Sequence, residues 1–373
     1  MKKSYICLSL LFVANVFNLF ADIDPYAADP NPPAEQEGYS LVWSDEFNIG
    51  AKPNTADWYY ETGFVRNEEM QWYQSDNTSC ANGLLQIEGR KETFNNPNYN
   101  SSSSDWRQNR QFVNYTSSSI NTSQSHSWLF GRFEIRAKIP VFQGSWPAIW
   151  TLGIDREWPS CGEIDIMEYY ANSILANAAW GTDRRWVAKW KSSQTPMSHF
   201  IAKDADWANK FHIWRMDWTE DYIKLYLDDE LLNSIDLSVT INADGSNPFH
   251  QPHYLLLNLA LGGINGGTID DTKFPATYYV DYARVYQKNG ASVSGVVPES
   301  QNIKQIGNIL YFGNASENAF DVKIYQSTGE IILAKKVDRS NAQLNLSSLS
   351  NGVYFVQTKQ NNTKQVSKIF INQ

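Results

Sequence analysis

From Tyr39 to about Lys288 the chain is built of short stretches in which apolar and polar residues alternate one by one, as in G-L-L-Q-I-E-G-R, G-R-F-E-I-R-A-K-I-P, I-K-L-Y-L-D-D-E and Y-Y-V-D-Y-A-R-V-Y. A period of two sends successive side chains to opposite faces, so each run reads as a strand. Gly, Asn and Asp separate the runs at turn spacing, and long helical patterns are few. The pattern predicts an all-β sandwich over residues 39–288. One short helix is expected over Ile201–Asn209, and the Asn/Ser-rich Asn96–Arg110 reads as a mobile loop near a cleft or sheet edge.

The two ends differ from this body. Residues 1–21 carry two lysines and then an apolar run ending near Ala21, which reads as a secretory signal peptide too short to favour a membrane anchor. Cys7 falls too early for lipoprotein processing. Residues 22–38 form a polar, Pro-rich lead-in. Residues 289–302 are small and polar and read as a linker. Residues 303–373 return to strand-sized runs such as D-V-K-I-Y and G-V-Y-F-V-Q-T, predicting a small C-terminal β-sandwich. Tyr311, Phe312 and Tyr354 sit in runs that read as core strands, so no chemistry is assigned to it.

Composition narrows the partners. Aromatic residues make up 14% of the 373, with 14 Trp and 20 Tyr, enough both to fill a β core and to offer flat faces for sugar rings. A net charge of −9 argues against nucleic acid and anionic membrane as partners, and weighs mildly against heavily sulfated polysaccharide. Without the signal, two cysteines are left, Cys80 and Cys161; export permits a disulfide, but two cysteines do not establish one. No Cys/His cluster has zinc spacing.

The candidate chemistry lies in C-G-E-I-D-I-M-E-Y-Y at 161–170, where Glu163, Asp165 and Glu168 interrupt an apolar strand. Strict alternation puts Glu163 and Asp165 on one face and turns Glu168 away. One extra residue, a β-bulge near Ile166-Met167, returns Glu168 to the face of Glu163. Two glutamates so placed come within range of the roughly 5–5.5 Å carboxyl separation of retaining glycosidases. Glu163 would attack the anomeric carbon, Glu168 would protonate the leaving oxygen and then activate water, and Asp165 can bond to either. Burying three carboxylates without such a use would be strongly unfavourable.

With these residues in hand, 39–288 resembles the laminarinase-like branch of glycoside hydrolase family 16. The segments carrying the resemblance are W-S-D-E-F at 43–47, N-E-E-M-Q-W-Y at 67–73, G-R-F-E-I-R-A-K at 131–138, W-P-A-I-W at 146–150, G-E-I-D-I-M-E-Y at 162–169, H-I-W-R-M-D-W at 212–218 and V-D-Y-A-R-V-Y at 280–286. The resemblance implies a curved β-jelly roll with a cleft on its concave face. It implies retaining endo-hydrolysis of a β-1,3- or mixed β-1,3/1,4-glucan by Glu163 as nucleophile, Glu168 as acid/base and Asp165 as helper. Trp146 and Trp150 match cleft tryptophans, and Asn67 with Glu68 matches the polar end of a glycone subsite. No catalytic cofactor is implied, but a structural calcium is, held by the backbone carbonyls of Glu46 and Gly83 and the Asp281 carboxylate. A monomer acting on polysaccharide is expected.

Three departures bear on the substrate. Where the family commonly has histidines, I-L-A-N-A-A-W-G-T carries Asn177 and Trp180, both taken as substrate-binding candidates. L-N-L-A-L-G-G-I-N-G-G at 257–267 lacks the tryptophan usual after the paired glycines. The insertion D-R-R-W-V-A-K-W-K at 183–191 adds two tryptophans and a run of basic residues. An endo-galactanase of agar or carrageenan type shares the bulged motif and stays open; a catalytically silent glycan binder is disfavoured by the presence of both glutamates. The tail, through L-S-S-L-S-N-G-V-Y-F-V-Q and S-K-I-F-I, resembles the C-terminal sorting domain of the Bacteroidetes type IX secretion route. That implies contact with the secretion machinery and a location on the outer cell surface or in the medium of a Gram-negative bacterium.

Overall fold

Two sheets, antiparallel except where Gln71–Tyr73 runs parallel to Phe112–Ser117, account for nearly all the alternating runs of the first unit. The structure, a computed structural model, describes residues 23–289 apart from 32 and 35, and in the tail residues 303–306, 309–312, 320–326, 331–338, 342–350, 352–360 and 363–371. The signal peptide expected at 1–21, and the linker from 290 to 302, lie outside the described residues.

The larger sheet runs Glu230–Asp236, Tyr222–Leu227, His212–Trp218, Gly131–Lys138, Ala276–Lys288, Leu84–Asn95, Phe112–Ser117, Gln71–Tyr73, with Tyr39–Asp45 and Thr78–Ala81 paired off this path. The smaller runs Ala188–Pro196, Ser173–Gly181, Glu163–Tyr170, Ser145–Gly153, His253–Leu261, Ser119–Asn121, Tyr59–Tyr60. Ser145–Gly153 to Ala188–Pro196 pair in sequence order, and the crossover comes at His253–Leu261, which pairs with both Ser145–Gly153 and Ser119–Asn121, as in a jelly roll. Phe133, Ile135, Trp214 and Met216 of the larger sheet join Ile149, Ile164, Ile174 and Leu257 of the smaller in one buried core. Each such side chain contributes about 1.5–3 kcal/mol on leaving water. The outer face of the smaller sheet is thereby left to carry a site.

Two local expectations are corrected. The helix is Met197–Lys203, followed by a separate 3-10 turn at Trp207–Asn209, in place of one helix over Ile201–Asn209. Met197 and Phe200, three apart and both buried, supply its packing face, whereas Ile201 is exposed. The Asn96–Arg110 loop is tied down. Asn96 is buried and its Nδ2 donates to the carbonyls of Arg107 (2.9 Å) and Arg110 (2.8 Å), closing the loop over a short helix at Trp106–Asn109. Cys80 and Cys161 are both buried and free, and burial pushes both thiols up to about 11.

The second unit, Gly290–Gln373, has a four-stranded sheet ordered Ile331–Val337, Phe320–Gln326, Gly352–Gln360, Thr363–Ile371, and a three-stranded one of Ile303–Ile306, Ile309–Phe312 and Gln343–Asn345. Phe312 and Tyr354 are buried in its own core with Phe320, Val322 and Val356. Because each unit has its own core, deleting residues 290–373 is expected to leave the activity of the remaining chain on soluble polysaccharide within about twofold. A large drop in initial rate would mean that the tail binds substrate. No helix among the described residues is long and apolar enough to cross a membrane.

Candidate active site

The strand Glu163–Tyr170 carries the bulge that the apolar spacing demands. Asp165 pairs with Trp150 on one side and Asn177 on the other, after which the register slips, so that Glu168 pairs with Ala148 and Leu175. Ile166 and Met167 both enter the core, and Glu168 returns to the face of Glu163 and Asp165. An unbulged strand would drive the Glu168 carboxylate into the core, and an unpaired buried charge there is prohibitive.

The three carboxyls line a cavity of about 740 Å³ together with Trp146, Trp150 and Asn177, within the size range of ligand sites. Each outer glutamate has its own indole partner. Trp158 Nε1 donates to Glu163 Oε2 at 2.5 Å, and Trp146 Nε1 donates to Glu168 Oε1 at 2.8 Å. Asn177 Nδ2 lies 3.2 Å from Asp165 Oδ2 and 3.5 Å from Glu168 Oε2, while its Oδ1 accepts from the backbone of Ser193. That last bond fixes the amide so that its NH₂ points at the carboxyls.

Burial raises all three acids above their ordinary range and outweighs the hydrogen bonds that oppose it. At Glu163 the burial effect is opposed by the Trp158 N–H, a bond from Asp165 and the positive charge of Arg66. Asp165, facing both neighbouring charges as well as burial, is raised well above the carboxylate range. Glu168 is pushed up to about 7, by burial first and by the Glu163 charge, with the Trp146 N–H pulling it back. The trio therefore ionises as one coupled set.

The opposite wall comes from residues 66–69. Left-handed backbone at Asn67 and Glu68 (φ 55° and 51°) turns the chain so that Glu69 enters the cavity lining beside Asn67 and Arg66. Glu68, expected there, is exposed and outside the cavity. Gln71 and Tyr73 both donate to Glu69 Oε2, at 2.7 and 3.3 Å, and hold it there. Arg66 pairs with Glu61 and sits over the Trp150 ring at 5.0 Å. The Trp150 indole donates to Asn258 Oδ1 at 2.7 Å, and Asn258 Nδ2 donates to the Tyr73 hydroxyl at 3.1 Å. The pinned 96–110 loop holds this wall from behind: Arg107 donates to the carbonyl of Val65, and Arg110 to those of Glu68 and Glu69.

Trp180 lies elsewhere. With Leu175 and Asn177 facing the cavity, alternation sends Trp180 inward, and it is buried in the inter-sheet core. Trp190, within the insertion, and Ser192 just after it, both on the strand Ala188–Pro196, do line the cavity. Sequence reasoning also missed Trp158, whose only signal is an aromatic five residues before Glu163 in the same loop-to-strand entry.

The residues matched to a calcium site do not fit a divalent ion. Asp281 Oδ2 accepts from Arg136 Nη1 at 2.6 Å and from the Asp29 N–H at 3.0 Å, so the one carboxylate of the set is already neutralised by a buried guanidinium. Arg284 binds the Glu46 carboxylate through two nitrogens. A cation beside Asp281 would face Arg136 directly.

Comparison with known proteins agrees with this geometry. Residues 67–284 match the model of glycosyl hydrolases family 16 and residues 302–372 that of the secretion system C-terminal sorting domain. The chain belongs to glycoside hydrolase family 16. It is 33% identical over 275 residues to a β-glucanase of Rhodothermus marinus, covering 67% of this chain and 85% of that one. Among solved structures it is similar to one from work on endo-acting O-glycanases with which members of the human gut microbiota initiate mucin breakdown (36% identity, TM-score 0.63, 69% of this chain and 94% of that one). It is also similar to SCLam, a non-specific endo-β-1,3(4)-glucanase (34% identity, TM-score 0.57, 71% and 97% covered). The protein is thus a jelly-roll glycoside hydrolase with a type IX sorting domain, secreted or displayed on the cell surface.

Proposed function

We propose that this chain is a retaining endo-glucanase, acting as a monomer, that cleaves β-1,3- or mixed β-1,3/1,4-glucan by double displacement. The observation that carries the reading is the bulged strand with Glu163, Asp165 and Glu168 on one cavity face, each glutamate bound by its own indole N–H.

Glu163, with the Trp158 N–H and the nearby Arg66 charge favouring its ionised form, attacks the anomeric carbon and forms the glycosyl-enzyme. Glu168, raised to about 7, holds a proton at the pH of use and gives it to the leaving oxygen. As a carboxylate it then takes a proton from the water that breaks the ester. Asp165, the most strongly raised of the three, stays protonated and bonds to Glu163. Trp146 and Trp150 form an aromatic floor, and Asn67, Glu69 and Asn258 offer polar contacts to sugar hydroxyls. Every step runs on carboxyl groups, so the reaction calls for no cofactor.

The pH profile follows with its sign. The acid must be protonated, so kcat/KM falls as pH rises through about 7. Trp146→Phe removes an N–H that favours ionised Glu168, and the alkaline limb then moves to higher pH. A limb that stays in place, or moves lower, would contradict the assignment of the acid.

A second reading is an endo-β-galactosidase acting on galactans or mucin-type chains. The likeness to the O-glycanase structure favours it, together with Asn177 standing where the resemblance leads one to expect histidine. Product release from laminarin, barley mixed-linkage glucan, agarose, κ-carrageenan and mucin separates the two. Cleavage of the glucans alone supports the first reading, and cleavage of a galactan or of mucin supports the second.

A further inference from the structure

Beside the active-site cavity, on the Trp158 side, lies a second surface cavity of about 310 Å³, and Trp158 lines both. The outer cavity is walled by the 183–191 insertion, which contributes Arg184, Arg185 and Trp186, and by Arg156, Glu157 and Asp244 opposite. A chain lying over Glu163 and continuing past Trp158 would run into it.

The insertion holds a fixed shape. Thr182 Oγ1 donates to the Val187 carbonyl at 2.8 Å and accepts from the Arg184 N–H at 3.1 Å, and Val187 N–H donates to the Arg184 carbonyl at 3.2 Å. Arg185 is clamped by Glu157 through two bonds of 2.8 and 2.7 Å and lies over the Trp186 ring at 4.9 Å. Trp186 has φ 64°, a left-handed backbone that a bulky aromatic seldom adopts, and it remains 53% exposed. Left-handed backbone and an exposed indole are both unfavourable, and neither serves the core.

The charges of the cavity do not cancel. Arg185 is matched by Glu157 and Arg156 by Asp244. Arg184 is exposed, and no carboxylate among the described residues lies within ion-pair distance of its guanidinium. A planar fork of donors next to an exposed aromatic suits a sugar ring that carries an oxyanion: the ring stacks and the fork binds the anion.

We propose that the Arg184–Trp186 cavity is an outer glycan subsite that binds a sugar bearing a sulfate or carboxylate group. It gives the enzyme a preference for anionic chains despite the protein's net charge of −9. The proposal rests on the cleft taking a glycan, and not on the choice between glucan and galactan.

The test is binding, by calorimetry at low salt, to the full chain carrying Glu163→Gln, so that no probe is cleaved. The probes are laminarin with its sulfated and carboxymethylated derivatives, and keratan sulfate with its desulfated form. The expected result is about fivefold tighter binding of an anionic member over its neutral parent, as for an exposed charged pair, weakening as salt is raised. Adding Arg184→Ala removes the preference and leaves neutral binding unchanged, while Trp186→Ala weakens both members alike. The sulfate and carboxymethyl arms show which oxyanion is favoured. Equal binding of charged and neutral members in both backbones, or a preference that survives Arg184→Ala, overturns the proposal. Failure of the glucan reading shows separately, as binding confined to the keratan pair.

Discussion

Glu163→Gln is expected to lower turnover of glucan by about 10³-fold or more with the fold intact, because no other group in the cavity can take its place as nucleophile. Asp165 is pushed well above the carboxylate range by burial and by its two charged neighbours, which disfavours the anion a nucleophile needs; Glu168 is engaged by Trp146, and Glu69 on the opposite wall by Gln71 and Tyr73. The substitution replaces a carboxylate oxygen by an amide of the same size, so the Trp158 indole keeps an acceptor and packing is unchanged. Initial rates on laminarin, with circular dichroism to verify the fold, measure the effect. Residual activity above about 1% of the unmodified enzyme would contradict a nucleophilic role.

Glu168→Gln is expected to act differently on different substrates. On polysaccharide, where the leaving oxygen needs its proton, hydrolysis slows by about 10²–10⁴-fold. On an aryl glycoside with a good leaving group the first step is spared and the glycosyl-enzyme accumulates, giving a burst of released phenol. Added azide then speeds the second step, since an anionic nucleophile needs no general base. Equal loss on both substrates would argue against the acid role. The same variant carries a stability signature. A carboxyl whose folded pKa lies above its unfolded value binds more protons folded than unfolded, so it loses stability as pH rises from its ordinary range to about 7. Removing that ionisation stabilises the variant at pH 8 by about 1–3 kcal/mol, and by little at pH 4. Thermal melts at the two pH values give the comparison.

The strand that carries the chemistry was legible because its pattern has a fault. Ile164, Ile166 and Met167 cannot all face inward from a regular strand, and Glu168 cannot face outward with Glu163, unless one residue is extra. The broken alternation therefore predicted both the bulge and the shared face. The same rule is sufficient to send Trp180 inward opposite Asn177, whereas Glu69 is turned into the cavity in place of Glu68 by the left-handed backbone at Asn67 and Glu68, ahead of the strand Gln71–Tyr73.

Other features depend on tertiary contact and leave no local trace. Trp158 lies in a loop without periodicity, and its role is defined by the carboxylate it reaches. The Asn96–Arg110 loop has the composition of a mobile segment and is ordered by a buried asparagine and two arginines that close on carbonyls. At the expected calcium site, sequence supplied Asp281, while the guanidinium that neutralises it comes from Arg136, distant in the chain but on an adjacent strand.

The most direct test of double displacement at Glu163 and Glu168 is the configuration of the first reducing ends released from laminarin, followed by proton NMR before mutarotation sets in. The β-anomer is expected to appear first, with the α-anomer growing in slowly behind it. An α-anomer appearing first would mean a single displacement by water, and the assignment of Glu163 as nucleophile would be wrong.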